Sequence, residues 1–219
     1  MCNTSDIGFF INNIDCDEFK GKSVIEVGSL YVNGSVRPLI EKFCKPKEYI
    51  GVDISYGKFV DKIVPAEKLV EAFGKDRFDV VISTEMLEHV KDWKTVINNM
   101  KEILKPNGYI YITTRSKGFG YHAAPYDFWR YELSDMKKIF SDFDILRLEN
   151  DVEPGVFLKA QKPLKRISKN LNKVKLYSML INKKVDFIPE KMSILIKFKI
   201  KLKAFAITII IIGGKILST

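Results

Sequence analysis

With 219 residues, 46% of them apolar, the chain can bury a full core in one domain of ordinary size with an appendage. Its net charge of +9 is uneven: past Pro163 thirteen Lys and Arg stand against Asp186 and Glu190, so that stretch carries +11 and the rest −2, which argues against a main domain that tracks nucleic acid. Three cysteines, Cys2, Cys16 and Cys44, are an odd number without metal-type spacing and argue against a disulfide framework or a zinc site.

The N-terminal stretch contains Asp6, Asp15, Asp17 and Glu18 and no basic n-region, unlike a signal peptide, so a cytoplasmic protein is expected. Asp6 to Lys20 reads as a helix with Phe9, Phe10 and Ile14 on one side, ended by Gly21. An apolar strand, Ser23–Val27, runs into a turn at Gly28. A helix follows from about Ser35, a good N-cap, to Phe43, with Pro38 tolerated in its first turn. Tyr49–Asp53 is a second strand ending on an acid, and Val60–Val64 is a short third. Pro65–Phe73 reads as a short helix with Gly74 just past its end. Phe78–Ser83 is a fourth strand. The Asp92–Leu104 helix puts Val96, Ile97, Met100, Ile103 and Leu104 on one face and is broken by Lys105-Pro-Asn-Gly108. Tyr109–Thr114 is a fifth strand, followed by a long loop from Arg115 to Arg130. Ser134 then caps a helix ending near Phe140. Asp144–Asp151 and Val156–Gln161, joined by Glu153-Pro-Gly155, are close enough to form an antiparallel hairpin. The expected fold is α/β: a doubly wound, mostly parallel sheet with a C-terminal antiparallel hairpin, over residues 1–163, followed by a basic and apolar extension over 164–219.

In an open α/β sheet, ligands bind outside the carboxyl ends of the strands, where strand order reverses. Those ends carry Gly28, Asp53, Ser83 to His89, and Thr114 onward. Asp53 is placed to accept hydrogen bonds from ribose hydroxyls. A dinucleotide turn needs G-x-G-x-x-G. Here the register is Gly28-Ser-Leu-Tyr-Val-Asn-Gly34, and Leu30 puts a side chain where a pyrophosphate would lie. A cofactor without phosphates tolerates this better.

Val24-Ile-Glu-Val-Gly28, Gly51-Val-Asp53, Asp79-Val-Val-Ile-Ser-Thr-Glu-Met-Leu-Glu-His89 and Leu104-Lys-Pro-Asn-Gly108 follow one another in the order and spacing of a known family. Over residues 20 to 163 the chain resembles a class I S-adenosylmethionine-dependent methyltransferase of the small-molecule, type 11-like kind, with a Rossmann-like sheet. The resemblance implies S-adenosyl-L-methionine as cofactor. It implies that Glu26 and Gly28, with Ser29, cradle the methionine part, that Asp53 holds the ribose and that Ile54 flanks the adenine. Ala66 and Glu67 would cover the adenine ring. Ser83 to Glu88, including Glu85, would pack against the methionine end. Two departures stand out: Leu30 replaces the usual second glycine, and Pro65 replaces the polar residue often found before Ala66.

Both histidines fall on the predicted active edge, His89 after the fourth strand and His122 in the loop after the fifth. Histidine titrates near neutrality. A base among His122, His89 and Asp127 would suit an oxygen nucleophile. A structural, hydrogen-bonded role is the alternative for each histidine, as capping or solvating the next helix is for Glu85 and Glu88. No metal site is expected at this rim. The loop from Arg115 to Tyr131 also carries Tyr121, Tyr126, Phe128 and Trp129, flat side chains suited to an acceptor or to anchoring the next helix.

Past Pro163, Leu164–Asn182 reads as a basic amphipathic helix. Ile196–Lys203 alternates strictly and reads as a strand. Ala204–Gly214 is apolar but shorter than the roughly 20 residues of a helical span. Residues 164–219 suit peripheral contact with an anionic membrane, such as the inner membrane face, or packing on the domain or on another copy. The expectation is a methyltransferase acting on a small-molecule, saccharide or lipid-linked acceptor, at oxygen. The alternatives are a nicotinamide-dependent Rossmann oxidoreductase and a non-catalytic cofactor-binding module tethered at membranes.

Overall fold

The structure, a computed structural model, describes residues 2–122, 126–165 and 167–189. Five strands run parallel: β1 (Ser23–Val27), β2 (Glu48–Asp53), β3 (Lys62–Ile63), β4 (Phe78–Thr84) and β5 (Leu104–Arg115). With β7 (Asp144–Asn150) and β8 (Gly155–Gln161) they form one seven-stranded sheet in the order β3-β2-β1-β4-β5-β8-β7. The terminal hairpin is present, with β8 antiparallel to both β5 and β7. Strand order reverses between β1 and β4, so a crevice opens beyond their carboxyl ends.

Alternation along the strands sends side chains to two cores. Val24, Val80, Ile82, Tyr111 and Phe157 face helices α1 (Thr4–Asn13) and α2 (Arg37–Cys44). Ile25, Val27, Val81, Ile110, Ile112 and Leu158 face α3 (Leu69–Phe73), α4 (Trp93–Ile103) and α5 (Leu133–Ile139). The first helix is shorter than expected. Asn3 caps α1 in a reciprocal box with Asp6, Ile14 is extended, and Asp15 accepts from the Asp17 N–H to start a separate 3-10 turn over Cys16–Glu18. Helix α2 begins two residues after Ser35, whose hydroxyl accepts from the Arg37 N–H. Helix α5 is capped by Glu132 with Asp135, not by Ser134.

Two readings of the sequence are corrected. Cys16 and Cys44 form a disulfide, joining the turn after α1 to the end of α2, with Cys2 left as a buried thiol. Cysteine count could not reveal this, because the packing of α1 and α2 on one sheet face brings the two positions together. Nor does Leu164–Asn182 form an amphipathic helix. Asn170 accepts from the Asn172 N–H in a tight turn over Leu171–Lys173, and β9 (Leu176–Ser178) then pairs antiparallel with β6 (Trp129–Arg130) and β10 (Lys183–Val185). Leu171, Leu176 and Ile188 join the same core as Phe128, Trp129 and Tyr131. Residues 190–219, including the Ile196–Lys203 strand and the Ala204–Gly214 run, lie outside the described residues. Among the described residues no helix is long and apolar enough to cross a membrane.

The bridge spans a sequence separation of 28 that includes β1, the Gly28 turn and α2. Replacing both cysteines by serine is expected to lower stability by about 3–4 kcal/mol on the loop-entropy scale, read as a lower urea midpoint that added reductant no longer shifts. Ending the chain after Pro163 is expected to strip cover from Trp129. At roughly 1.5–3 kcal/mol for each of the three buried apolar residues removed, the thermal midpoint should fall clearly; an unchanged midpoint would place the domain boundary at Pro163.

Candidate functional site

The turn after β1 is drawn onto the end of β2. Gly28, at φ +82, and Ser29 both donate their N–H to the Val52 carbonyl, at 2.9 and 3.1 Å. The Leu30 N–H donates to Asp53 Oδ2 at 3.3 Å, and the Ser55 N–H to Asp53 Oδ1 at 3.0 Å. Asp53 therefore stands half-buried at the strand end with acceptor capacity left over. Leu30, the residue in place of the second glycine, turns its side chain toward Gly57, where a Cβ would meet Leu30 Cδ1 at 2.3 Å. Gly28 meets the Met86 side chain, whose Cγ would lie 2.4 Å from any added Cβ. Even alanine there would be both strained and crowded.

Glu26 is buried beneath this turn and accepts from the Tyr49 hydroxyl at 2.7 Å. Burial pushes its carboxyl up to about 7, against the pull of the Tyr49 hydrogen bond and Arg37. Ser29 is buried beside it with no hydrogen-bond partner for its hydroxyl, and the same holds for Ser83 at the end of β4. On the far side of Asp53, Ile54 is 65% exposed, while Ala66 is buried and Glu67 exposed at the start of a 3-10 turn. Asn99 on α4, unnoticed in the sequence, donates to the Ala66 and Glu67 carbonyls at 3.2 and 2.6 Å and holds that turn despite Pro65. Glu85, at φ +50, is buried and ion-paired with Arg115, and burial followed by Glu88 pushes its carboxyl well above the usual range.

The opposite rim is built by the Leu87–His89 turn with residues 117–122 and 126–128. Glu88 is fully buried; its Oε2 accepts from the Thr114 hydroxyl at 3.0 Å, and its Oε1 lies 3.8 Å from His89 Nε2 and 3.7 Å from His122 Nε2. His89 Nδ1 is 2.5 Å from the Tyr126 carbonyl, which can only accept, so Nδ1 is the donor there. His122 Nδ1 lies 3.2 Å from Asp127 Oδ2. The two imidazoles meet edge to face at 4.8 Å, with Phe119 against His122 at 5.0 Å.

Burial would lower the His122 imidazole, but Asp127 and Glu88 outweigh it and raise it to about 9. Burial would raise Glu88, but His122 and His89 hold it down at about 2. Asp127 is corrected as a candidate base. It is fully buried, takes two bonds from the equally buried Arg130 (2.5 and 2.7 Å), and accepts the His122 N–H at 3.0 Å. Although burial raises its carboxyl, Arg130 and His122 hold it well below the usual range, so Asp127 orients His122 instead of taking a proton. Glu88 and His122 meet although 34 positions apart. The sequence signal that could have linked them was the polar end of β5, Thr113 to Arg115, together with Arg130, all buried.

A family model described as a methyltransferase domain matches residues 13–153. The chain belongs to this methyltransferase family. A ubiquinone biosynthesis O-methyltransferase of Colwellia psychrerythraea is 43% identical over 67 residues, which is 31% of this chain and 25% of that protein. The matched stretch thus spans a quarter of that relative's length. An S-adenosylmethionine-dependent methyltransferase from Mesorhizobium loti shares the fold, with a TM-score of 0.57 at 13% identity over 73% of this chain and 99% of that one. So does a Burkholderia thailandensis 1,6-didemethyltoxoflavin-N1-methyltransferase with bound 1,6-didemethyltoxoflavin and S-adenosylhomocysteine (TM-score 0.51, 14% identity, 66% of this chain and 72% of that one). The family match bears out the expected S-adenosylmethionine-dependent methyltransferase domain and replaces the nicotinamide-dependent reading. The residues present suit this cofactor in their chemistry: the Ser29 hydroxyl is buried without a hydrogen-bond partner, the Asp53 carboxylate keeps acceptor capacity at the end of β2, and Gly28 carries no side chain at the turn joining them.

Because the folded pKa of Glu26 lies above its ordinary 4.5, this group's contribution to stability is complete below pH 4.5 and is lost as pH rises to about 7. Relative to wild type, Glu26→Gln is expected to gain on the order of 3 kcal/mol across that window, measured by denaturant melts without cofactor. Parallel pH profiles for the two proteins would refute the buried, proton-holding Glu26.

Proposed function

We propose that the protein transfers the cofactor's methyl group to a hydroxyl oxygen of a small molecule with a flat apolar part. The observation that carries this reading is the convergence of His89 and His122 on buried Glu88, at the sheet edge that also holds Gly28 and Asp53. A hydroxyl must lose its proton as it is methylated, whereas the sulfonium already activates the carbon. The His89–His122–Glu88 cluster would handle that proton. Phe119 and Tyr126 beside it offer apolar surface for the acceptor. The O-methyltransferase relative acts in the same sense, and the Burkholderia enzyme illustrates a small-molecule acceptor.

On the cofactor side, Glu26, Gly28 and Ser29 would receive the methionine part and Asp53 the ribose. Ile54, Ala66 and Glu67 would border the adenine, with Ser83 and Glu85 at the methionine end. Ile54 and Glu67 are the exposed members of this set, which suits the open side of the crevice. A saccharide or lipid-linked acceptor, with peripheral membrane contact through residues 164–219, belongs to the same proposal and draws only on the charge of that stretch. A cytoplasmic location is likewise proposed.

Calorimetry with S-adenosylmethionine and S-adenosylhomocysteine tests the cofactor assignment. Wild type should bind both saturably. Asp53→Ala should weaken both about 10–100-fold, as expected for hydrogen bonds to a charged group. Equal affinity in the variant would move the ribose site elsewhere.

A further inference from the structure

The rim cluster has the makings of a metal centre. Glu88 Oε1, His89 Nε2 and His122 Nε2 each offer one donor atom, and the three lie within 4.8 Å of one another. Neither imidazole hydrogen-bonds the carboxylate: the separations of 3.7 and 3.8 Å are too long for that. Glu88 Oε1 and His89 Nε2 are both buried without a hydrogen-bond partner, and Glu88 itself is fully buried. Three donor atoms thus lie close together, two of them without a hydrogen-bond partner among the described residues.

The surroundings prepare the ligands. The Nδ1 atom of His89 faces the Tyr126 carbonyl and that of His122 faces the Asp127 carboxylate, which leaves both Nε2 atoms for a ligand. Such outer partners fix imidazole orientation and raise ligand basicity at metal sites. Asp127 is in turn held by Arg130, and the second oxygen of Glu88 by Thr114. Donors at about 2.1 Å in a tetrahedral site lie about 3.4 Å apart. The Glu88–imidazole separations of 3.7 and 3.8 Å are slightly wider than this, and the three donors, now spread over as much as 4.8 Å, would draw in around a bound ion.

We propose that Glu88, His89 and His122 bind one divalent transition-metal ion, with an open coordination position for the acceptor oxygen. Two imidazoles and a carboxylate suit Zn2+, Fe2+, Mn2+ or Co2+ over Mg2+ or Ca2+, which take all-oxygen shells. An ion there would lower the pKa of a bound hydroxyl, so that methylation proceeds on a metal-held alkoxide or phenoxide. The O–H bond breaks, its proton passes to solvent, the O–CH3 bond forms and the S–CH3 bond of the sulfonium breaks, with the electron pair returning to sulfur. An acceptor with two adjacent hydroxyls would fit best, since one can bind the metal while its neighbour is oriented. This deepens the methyl-transfer reading and rests on it for the role, but not for the ion itself.

The test uses the full-length protein, stripped with a chelator, dialysed and held with S-adenosylhomocysteine. Zn2+, Mn2+ and Co2+ are titrated separately by calorimetry. One ion per chain should bind with micromolar affinity, and Co2+ should show visible absorption bands of nitrogen coordination. His122→Ala and Glu88→Gln should each lose at least tenfold in affinity. Asp127→Asn should lose about 10–100-fold as an outer partner. The chain's only two histidines should both broaden in proton spectra when Mn2+ is added to wild type, a readout that needs no variant to fold. Absence of saturable ion binding at millimolar concentrations in a protein that binds S-adenosylhomocysteine would overturn the proposal, as would equal affinity in folded variants. Ion binding without cofactor binding would fault the methyl-transfer reading alone.

Discussion

Three backbone donors, those of Gly28, Ser29 and Leu30, close onto the end of β2 through the Val52 carbonyl and the Asp53 carboxylate. The turn proposed to receive the cofactor depends on this seam. It fixes the direction in which the chain leaves β1, and so where α2 starts. It also sets Asp53 beside the turn instead of leaving it as a loose acid at a strand end. The seam requires a residue at φ +82, which is why a glycine stands at position 28. It also explains how Leu30 is tolerated: its backbone faces the crevice while its side chain packs on Gly57. Here a motif departure is absorbed by a second glycine 27 residues away.

The parallel sheet was readable because its strands are buried on both faces and are near-continuous apolar runs ended by Gly or acid. β1, β2, β4 and the β7–β8 hairpin all fall within a residue or two of expectation. What failed was whatever depends on two distant segments meeting. Cys16 and Cys44 pair because α1 and α2 share one sheet face. Leu176 enters a strand because Trp129 and Arg130 present an edge to it. Neither relation has a local periodicity, and along the expected Leu164–Asn182 helix Leu171 is buried in a turn while Ile167 is 80% exposed, so no continuous apolar face forms there.

The candidate site divides along the same line. Glu26, Gly28, Ser29 and Asp53 belong to one strand–turn–strand unit and could be placed from sequence order alone. The acceptor rim could not. Its chemistry comes from the Leu87–His89 turn, the end of β5 and a loop more than thirty positions further on, brought together by Arg130 beneath Asp127 and by the Phe128 N–H on the Glu88 carbonyl at 2.8 Å. Asp127, one of three candidate bases in the sequence, is instead paired with Arg130 and His122.

Burial of so many ionised groups at this rim has a physical consequence. Glu88, Asp127 and Arg130 are all fully buried; Arg130 pairs with Asp127, and His122 stands between Asp127 and Glu88. An uncompensated carboxylate in a dry site costs several kcal/mol, so the fold tolerates this arrangement only if a positive charge stands between Glu88 and Asp127. An imidazolium at His122 satisfies that need in the chain alone, which is why its proton is held so firmly. A cation seated on the Nε2 atoms would satisfy it equally and would leave the imidazoles neutral. The charge balance that stabilises the rim and the charge that acts on an acceptor hydroxyl are on this view the same charge.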